Sequence, residues 1–258
     1  MTSTTIEKDG GLSTAEQDGV LIVTLDRSPA NAMSGAVIEA IGDLFARLAG
    51  TDDPPPVVIT GAGERFFSAG GDIHELQGTG VAQLDARMRG FHRMLVELDR
   101  YPRPVVAAVN GYSVGGGLEY ASFADVVLAV PHAQFGFPEI RHGLLPADKG
   151  IHRVIRLIGM KAARELLLTG ELISSDRAAR IGLIDGVVEP DRLLACAVLR
   201  AAEDGRRAPV LYAALKRSLN HSDGGDDQRH ADVTLDNVSA YIDDAVAARL
   251  RDEWRHRP

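Results

Sequence analysis

Three consecutive glycines, Gly115–Gly117, stand just before Glu119 and are the feature of this chain best suited to chemistry. The apolar run Val105–Val109 predicts a buried strand upstream, and the residues after the glycines predict a helix. The first N–H groups of a helix have no partner within it, and glycines leave them uncovered, so they can hold an anion or a developing oxyanion. Glu119 would lie in the first turn, close to whatever is held there. The alternative is a helix start packed tightly on a neighbour, with Glu119 merely favourable near the helix dipole.

A second pair of glycines, Gly70-Gly71, also comes directly before a predicted helix. Asp72 followed by Glu75 resembles a capping box, so we expect that helix to begin at Ile73. The stretch with three glycines does not fit a nucleotide-binding loop, because it has no G-x-x-x-x-G-K-[ST] pattern and its consecutive glycines lack the G-x-G-x-x-G spacing. The chain therefore offers two bare helix starts as candidate anion sites.

These residues need a scaffold, and the hydrophobic pattern predicts strands and helices in alternation up to about residue 190, followed by helices only. We expect an α/β protein with a flexible segment at 1–17, a core at 18–190 and a helical region at 191–258. The helical region carries an apolar stripe made of Leu235, Val238, Ile242, Val246 and Leu250. A domain standing alone would leave that stripe partly exposed, which favours an oligomer.

Composition narrows the classes of function. The chain of 258 residues has a formal net charge of −8, a poor match for nucleic acid, whose binding depends on Lys and Arg. Cys196 is the only cysteine, so no intrachain disulfide can form and a reducing compartment is the simpler assumption. No apolar run approaches the roughly 20 residues of a membrane span, and the N-terminus lacks the apolar core of a signal peptide. With no metal-ligand spacing among the histidines, we expect a soluble cytoplasmic protein without a metal.

Three stretches of the chain together resemble the crotonase family, the enoyl-CoA hydratase/isomerase superfamily. They read FFSAGGDIHEL at 66–76, AAVNGYSVGGGLEYASFAD at 107–125 and AQFGFPEIRHGLLP at 133–146. The resemblance extends over roughly residues 18–250. It implies a spiral of ββα units with a helical C-terminal region at 191–258 that takes part in trimerisation. It also implies a homotrimer, or a hexamer that is a dimer of trimers.

The resemblance assigns roles to particular residues. By position it implies an oxyanion hole made by the N–H groups of Gly71 and Gly116, in agreement with the two glycine-flanked helix starts. It also implies two catalytic glutamates, Glu119 and Glu139. The candidates for the coenzyme A side of the site are Ala69, Gly71, Asp72, Ile73, His74 and Gly116. Asp72 fits a helix cap better than a ligand, and coenzyme A would arrive as part of an acyl-CoA thioester substrate rather than as a separate cofactor.

The reaction that this resemblance implies is enoyl-CoA hydration, the syn addition of water to a 2-enoyl-CoA thioester, or the reverse dehydration. Adding water requires one group that takes a proton from water and another that supplies a proton at the α-carbon. Two carboxylates facing one small site repel each other, so they share a proton and titrate as a unit. Other crotonase-type reactions through the same oxyanion hole stay open, namely isomerisation, thioester hydrolysis and decarboxylation. A non-catalytic acyl-CoA-binding subunit is the alternative from another class.

One loop departs from the family pattern. After the second glutamate, hydratase-like members usually carry a glycine-rich P-G-x-G-G-T loop, whereas this chain reads PADKGIHR at 146–153, where only Gly150 remains. We favour the interpretation that Asp148 caps the next helix and Lys149 points to water. The alternative is that this loop shapes an unusual pocket for an acyl group with a polar or carboxylate end, and that Phe137 faces the acyl chain.

Overall fold

Two β-sheets form the framework of the chain, of which the computed structural model describes residues 8–76, 80–221, 227–241 and 245–255. The strands are β1 (Lys8–Asp9), β2 (Leu12–Gln17), β3 (Val20–Leu25), β4 (Val57–Gly61), β5 (Phe66–Ser68), β6 (Val105–Val109), β7 (Tyr112–Val114), β8 (Val126–Ala129), β9 (Gln134–Gly136), β10 (Ile173–Ser174) and β11 (Gly186–Val187). The larger sheet has the order β1-β2-β3-β4-β6-β8-β11. The smaller sheet has the order β10-β9-β7-β5.

Helices connect the strands and make up the C-terminal part of the chain. They are α1 (Gly35–Ala49), α2 (Ile73–Leu76), α3 (Val81–Arg100), α4 (Gly116–Ser122), α5 (Asp148–Thr169), α6 (Ser175–Arg180), α7 (Leu193–Gly205), α8 (Pro209–His221), α9 (Asp227–Tyr241) and α10 (Ala245–Arg255), with a 3₁₀ helix at Pro138–His142. Helix α2 begins at Ile73, which confirms the predicted start. In the described part of the chain, no helix is both long and apolar enough to cross a bilayer.

Successive pairs of strands are divided between the two sheets. Strands β4, β6 and β8 lie side by side and parallel in the larger sheet, and β5, β7 and β9 do the same in the smaller sheet. Helices α3, α4 and α5 follow the three pairs in turn. Because each unit of two strands and a helix advances both sheets by one strand, the chain winds as a spiral of ββα units. The structure confirms the predicted α/β fold class.

Strand β6 is the central element that positions the site. All five of its residues, Val105–Val109, are fully buried, and parallel strands flank it on both sides. A strand covered on both faces reads as a continuous apolar run, which is why the sequence pattern located it. The chain leaves β6 through Asn110, whose side chain accepts a hydrogen bond from Gly61 N–H and donates one to Gly63 O. The start of α4 is therefore anchored by the most buried strand of the fold.

The N-terminal boundary differs from the predicted one. Strand β2 pairs antiparallel with β3 along its whole length, from Leu12 opposite Leu25 to Gln17 opposite Val20. The expectation of a flexible segment at 1–17 is therefore wrong for the residues of this strand, while residues 1–7 lie outside the described residues. The overlooked signal is the Asp-Gly pair at 18 and 19, both at positive φ, which is typical of a two-residue hairpin turn.

The C-terminal part contains helices only in the residues that the structure describes after β11. Helix α5, which lies before β11 in the chain, is interrupted at Gly159, whose φ of 74° divides the helix into two segments. Of the apolar stripe, Ile242 lies outside the described residues, Val246 is exposed, and Leu235 and Leu250 are partly buried. The role of this region in trimerisation stays a prediction.

Candidate active site

The backbone at Gly115 brings the start of α4 against the 3₁₀ helix. Gly115 has φ +54° and ψ −132°, a conformation that residues with a Cβ rarely adopt. A Cβ at this position would also lie 2.6 Å from Glu139 Oε1, so glycine is required for space as well. Its N–H donates to Gly136 O at 2.9 Å, which ties α4 to the end of β9. The first of the three glycines therefore places Glu139 beside the helix that carries Glu119.

Two backbone N–H groups lie together in the wall of one cavity. Gly71 and Gly116 both line it, and a Cβ built on Gly116 would be 3.8 Å from Gly71 N. In the described chain neither of these N–H groups donates a backbone hydrogen bond, although their neighbours do, for example Asp72 N–H to Met33 O at 3.2 Å. Gly70, at φ +84°, lets the two segments approach, since a Cβ there would be 3.2 Å from Gly116 N. The sequence-predicted glycines thus present two donors to the same space.

Glu119 is a buried carboxyl group with one free oxygen. Only 2% of the residue is exposed, and its Oε1 accepts a hydrogen bond from Ala147 N–H at 3.3 Å. Its Oε2 has no hydrogen-bond partner among the described residues. Burial, reinforced by the charge of Glu139, raises the pKa of Glu119 well above its ordinary value. The group is thus held ready to keep or exchange a proton.

Glu139 is the second carboxyl group of the cavity. It lies in the 3₁₀ helix just after Pro138, and its Oε2 is buried without a partner in the described part of the structure. Burial raises the pKa of Glu139 to about 7. Because Glu119 and Glu139 line the same cavity and interact electrostatically, the structure brings the two predicted glutamates together. The negative charge of Glu139 is one cause of the raised pKa of Glu119, so ionisation of one carboxyl group disfavours ionisation of the other.

Gly150 supports Glu119 and was not singled out as a site residue from the sequence. A Cβ at position 150 would lie 1.9 Å from Glu119 Oε2, which is far too close for two atoms that are not bonded to each other. It is the one glycine that remains in the departing loop, and this was the signal that could have found it. Any side chain at this position would displace the carboxyl group.

The cavity is open to solvent on one side, and its empty space, counted together with that open mouth, is about 740 Å³. Apolar side chains supply most of its lining beyond the glycines and glutamates. They are Met33, Leu84, Met88, Phe91, Leu144, Leu145 and Trp254. Trp254 of α10 stacks on His142 with ring centroids 4.4 Å apart. Arg87 also lines the cavity, and its guanidinium is bonded to Glu75 Oε2 at 2.8 Å and to Met33 O at 2.5 Å.

The predicted coenzyme A residues divide into two groups. Ala69 and Gly71 line the cavity, whereas Asp72, Ile73 and His74 are not among its described lining residues. Asp72 is 2% exposed, forms an ion pair with Arg27 at 2.5 Å and accepts a hydrogen bond from His74 N–H at 2.8 Å. Its carboxylate therefore caps α2, as predicted. The predicted capping box is incomplete, because the Glu75 carboxylate accepts from Gly35 N–H and Arg87 instead.

The departing loop differs from the favoured interpretation of its sequence, in which Asp148 caps the helix and Lys149 points to water. Ala147, not Asp148, is the N-cap residue of α5, and no side chain caps that helix. Lys149 does not point to water: it is buried, and its ammonium forms an ion pair with Asp99 at 3.0 Å. Neither Asp148 nor Lys149 is among the described lining residues of the cavity. Phe137 is fully buried and is not among the described lining residues either, so its predicted contact with an acyl chain stays a prediction.

The chain is similar to known proteins in both sequence and structure. Residues 15–248 match the family model for enoyl-CoA hydratase/isomerase. A carnitinyl-CoA dehydratase from Salmonella arizonae is 34% identical over 250 residues, covering 92% of this chain and 95% of that protein. A short-chain-enoyl-CoA hydratase from Clostridium acetobutylicum is 35% identical, covering 80% of this chain and 79% of that protein. The crystal structure of an enoyl-CoA hydratase from Mycobacterium avium subsp. paratuberculosis superposes with a TM-score of 0.86 at 26% identity, covering 97% of both chains.

Proposed function

The chain belongs to the enoyl-CoA hydratase/isomerase family, and we propose that it catalyses the syn addition of water to a 2-enoyl-CoA thioester or the reverse dehydration. Relatives of this chain are named as enoyl-CoA hydratases, which supports an enzyme of that type. One observation carries the choice of reaction within the family. Two carboxyl groups, each with a buried and unpartnered oxygen, line the same cavity as two uncommitted backbone N–H groups.

The two carboxyl groups divide the proton transfers of hydration. The ionised member of the pair accepts a proton from water as the oxygen attacks the β-carbon, and the protonated member supplies a proton to the α-carbon. Burial of Glu119 and Glu139 raises both pKa values, so the pair holds the single proton that this division requires near neutral pH. Syn addition requires both carboxyl groups to act on the same face of the double bond, and both line the same cavity.

The two N–H groups stabilise the charge that moves onto the thioester oxygen. As water attacks the β-carbon, the thioester oxygen gains enolate character, and donors aimed at it lower the barrier. Loss of a single such donor costs about 2.7–4 kcal/mol in other enzymes. We assign this role to Gly71 N–H and Gly116 N–H, because they share one wall and donate no other backbone hydrogen bond in the described chain.

The substrate lies across the cavity with its thioester at the glycines. Ala69, Gly71 and Gly116 line the cavity and are assigned to the coenzyme A side, and Ile73 and His74, which follow them in the chain, are assigned to the pantetheine arm. Asp72 has no such role, because its carboxylate is bound to Arg27 and caps α2. The apolar lining around Phe91 and Trp254 suits an aliphatic acyl chain rather than one that ends in a carboxylate.

The test of this proposal replaces each glutamate by glutamine. We expect Glu119→Gln and Glu139→Gln each to lower the kcat for hydration of one enoyl-CoA by on the order of 10²–10⁴, with thioester binding largely kept. The double variant should lose much less than the product of the two, because the carboxyl groups act as a unit. Loss of conjugated absorbance and a mass gain of one water measure the reaction. Glu39→Gln, at an exposed position of α1, is the matched control.

The same experiment separates hydration from the alternatives. An isomerase that uses one carboxylate predicts that one substitution abolishes turnover while the other has little effect. A non-catalytic acyl-CoA-binding subunit predicts no turnover in the unmodified protein and no effect of either change on binding. Near-normal hydration by either single variant would contradict the mechanism with two glutamates.

A further inference from the structure

Two helices bring together three side chains that have no part in the proposed reaction. Asp148 and His152 lie one turn apart on α5, and His230 comes from α9. Asp148 Oδ2 is 2.5 Å from His230 Nδ1 and 3.8 Å from His152 Nε2. One donor atom from each of the three residues lies within 4.8 Å of the other two. We propose that Asp148, His152 and His230 form a zinc-binding site.

The donor set fits a borderline divalent ion such as Zn²⁺. Two imidazole nitrogens with one carboxylate oxygen form a common ligand combination for zinc, whereas Mg²⁺ and Ca²⁺ prefer oxygen ligands. A carboxylate and an imidazole one helical turn apart, completed by an imidazole from another helix, can occupy three corners of a tetrahedron. With zinc–ligand bonds of about 2.0–2.2 Å, such donors lie roughly 3.3–3.6 Å apart.

Small side-chain movements bring the observed cluster to that geometry. The 3.8 Å between Asp148 and His152 is already close to it, and the contact of Asp148 with His230 needs to open by about 1 Å. The side chain of His152 is 52% exposed, so its ring is free to turn. The two imidazole rings are 4.8 Å apart and tilted by 53°, not stacked face to face, so their nitrogens can point to a common centre.

The backbone around the cluster is fixed, which favours a built site over a chance meeting of side chains. Asp148 N–H donates to Thr234 Oγ1 at 3.0 Å, and the Thr234 hydroxyl donates to His230 O at 2.8 Å. Asp148 and His230 are buried, whereas His152 borders solvent. This arrangement leaves an entry path and room for a water as the fourth ligand on the solvent side. The spacing along the chain did not predict the site, because His230 is 82 residues from Asp148.

The site is separate from the reaction, and its test does not depend on enzymatic activity. None of the three residues is among the described residues that line the cavity. Protein freed of its purification tag and of metal by a chelator is titrated with ZnCl₂ in a calorimeter. We expect one ion per chain, a higher melting temperature with zinc, and with CoCl₂ the visible absorption of a tetrahedral site.

The variants decide which residues hold the ion. His152→Ala is expected to raise the Kd for zinc by at least roughly tenfold while the protein stays folded, because the side chain is half exposed. Asp148→Asn and His230→Ala should weaken binding further. His132→Ala, at an exposed position away from the cluster, is the matched control and should bind as the unmodified protein does. Absence of stoichiometric zinc binding, or equal binding by the His152→Ala and His132→Ala proteins, would overturn the proposal and leave a buried Asp148–His230 hydrogen bond only.

Discussion

Glu119 fits its position only because the backbone leaves space on two sides. Its Oε1 accepts from Ala147 N–H, and its Oε2 faces the Cα of Gly150, where a Cβ would be 1.9 Å away. Gly115 gives similar space to Glu139. The positions of both carboxyl groups therefore depend on the absence of a side chain at Gly115 and Gly150.

A methyl group at position 150 tests this dependence. We expect Gly150→Ala to lower kcat by at least on the order of 10², because Glu119 must shift away from the reacting atoms. Overpacking should also lower the free energy of unfolding by about 1–3 kcal/mol. Gly90→Ala in α3 is the control, because the nearest atom to a Cβ there is 3.9 Å away. Steady-state rates and urea unfolding of both variants measure the two effects, and unimpaired turnover by Gly150→Ala would contradict the packing argument.

The raised pKa of Glu139 also makes a prediction about stability. The pKa rises from 4.5 to about 7 on folding, so the folded protein binds more protons than the unfolded chain between these values. The stability that Glu139 contributes is complete below pH 4.5 and is lost as the pH rises through about 7. The Glu139→Gln variant has no ionisable group at this position, so this loss of stability with rising pH is absent from it. Relative to the unmodified protein, the variant should therefore gain on the order of 1–3 kcal/mol between pH 5 and pH 8.

Urea unfolding at the two pH values measures that difference. Glu39→Gln, which changes an exposed carboxylate, should show no comparable gain between pH 5 and pH 8. Equal behaviour of the two variants would mean that Glu139 is solvated in the folded protein.

At the scale of elements, two successive ββα units bring Glu119 and Glu139 to the same cavity. The strand-to-helix junction of the second unit supplies Glu119 on α4, and the third unit supplies Glu139 on the 3₁₀ helix after β9. Because β7 and β9 are parallel neighbours in the smaller sheet, their following segments emerge side by side. The spiral thus brings two glutamates that are 20 residues apart in the sequence into the lining of one cavity.

Much of this arrangement could be predicted from the sequence, and the reasons differ between elements. Strand β6 and the starts of α2, just after Gly71, and of α4, at Gly116, have local sequence patterns, so they were predicted correctly. The burial of Lys149 could not be predicted, because its partner Asp99 lies 50 residues away on α3. Strand β2 was missed because Leu12 is its one buried residue and the others are mostly polar, so no apolar alternation marks it.

Helix α10 closes part of the cavity, which no local pattern indicated. Trp254 lines the cavity and stacks on His142, and Arg251 Nη1 donates to Gly143 O at 2.9 Å. We expect Trp254→Ala to raise KM for longer enoyl-CoA substrates by roughly tenfold with little change in kcat, because an apolar part of the cavity lining is lost while both carboxyl groups are kept. Arg249→Ala, at an exposed position of the same helix, is the control. An unchanged KM across a series of acyl-chain lengths would argue against this position of α10 in solution.

At the scale of the whole molecule, the exposed apolar surface of α8 indicates that this helix contacts another chain. Val210, Leu211, Leu215 and Leu219 on α8 are each at least 65% exposed. Leu211, Leu215 and Leu219 are spaced by four residues, so they form one apolar stripe along the helix. A monomeric protein rarely leaves such a stripe in water, because burying it against another chain is favourable. This stripe on α8 lies in the region predicted to mediate trimerisation. The stripe identified in the sequence lies on other helices, with Leu235 on α9 and Leu250 on α10.

We therefore propose a homotrimer or a hexamer in which α8 contributes to the contact between chains. Light scattering after size-exclusion chromatography should give about 83 kDa for a trimer of 27.6 kDa chains, or twice that mass for a hexamer. A buried charge has a large desolvation cost, so Leu215→Glu should lower the mass toward that of a single chain at micromolar concentration. Arg217→Glu changes the charge at an exposed position on the opposite side of α8 and should leave the assembly intact. A single-chain mass for the unmodified protein would contradict the assembly, and an intact trimer with Leu215→Glu would place the contact elsewhere.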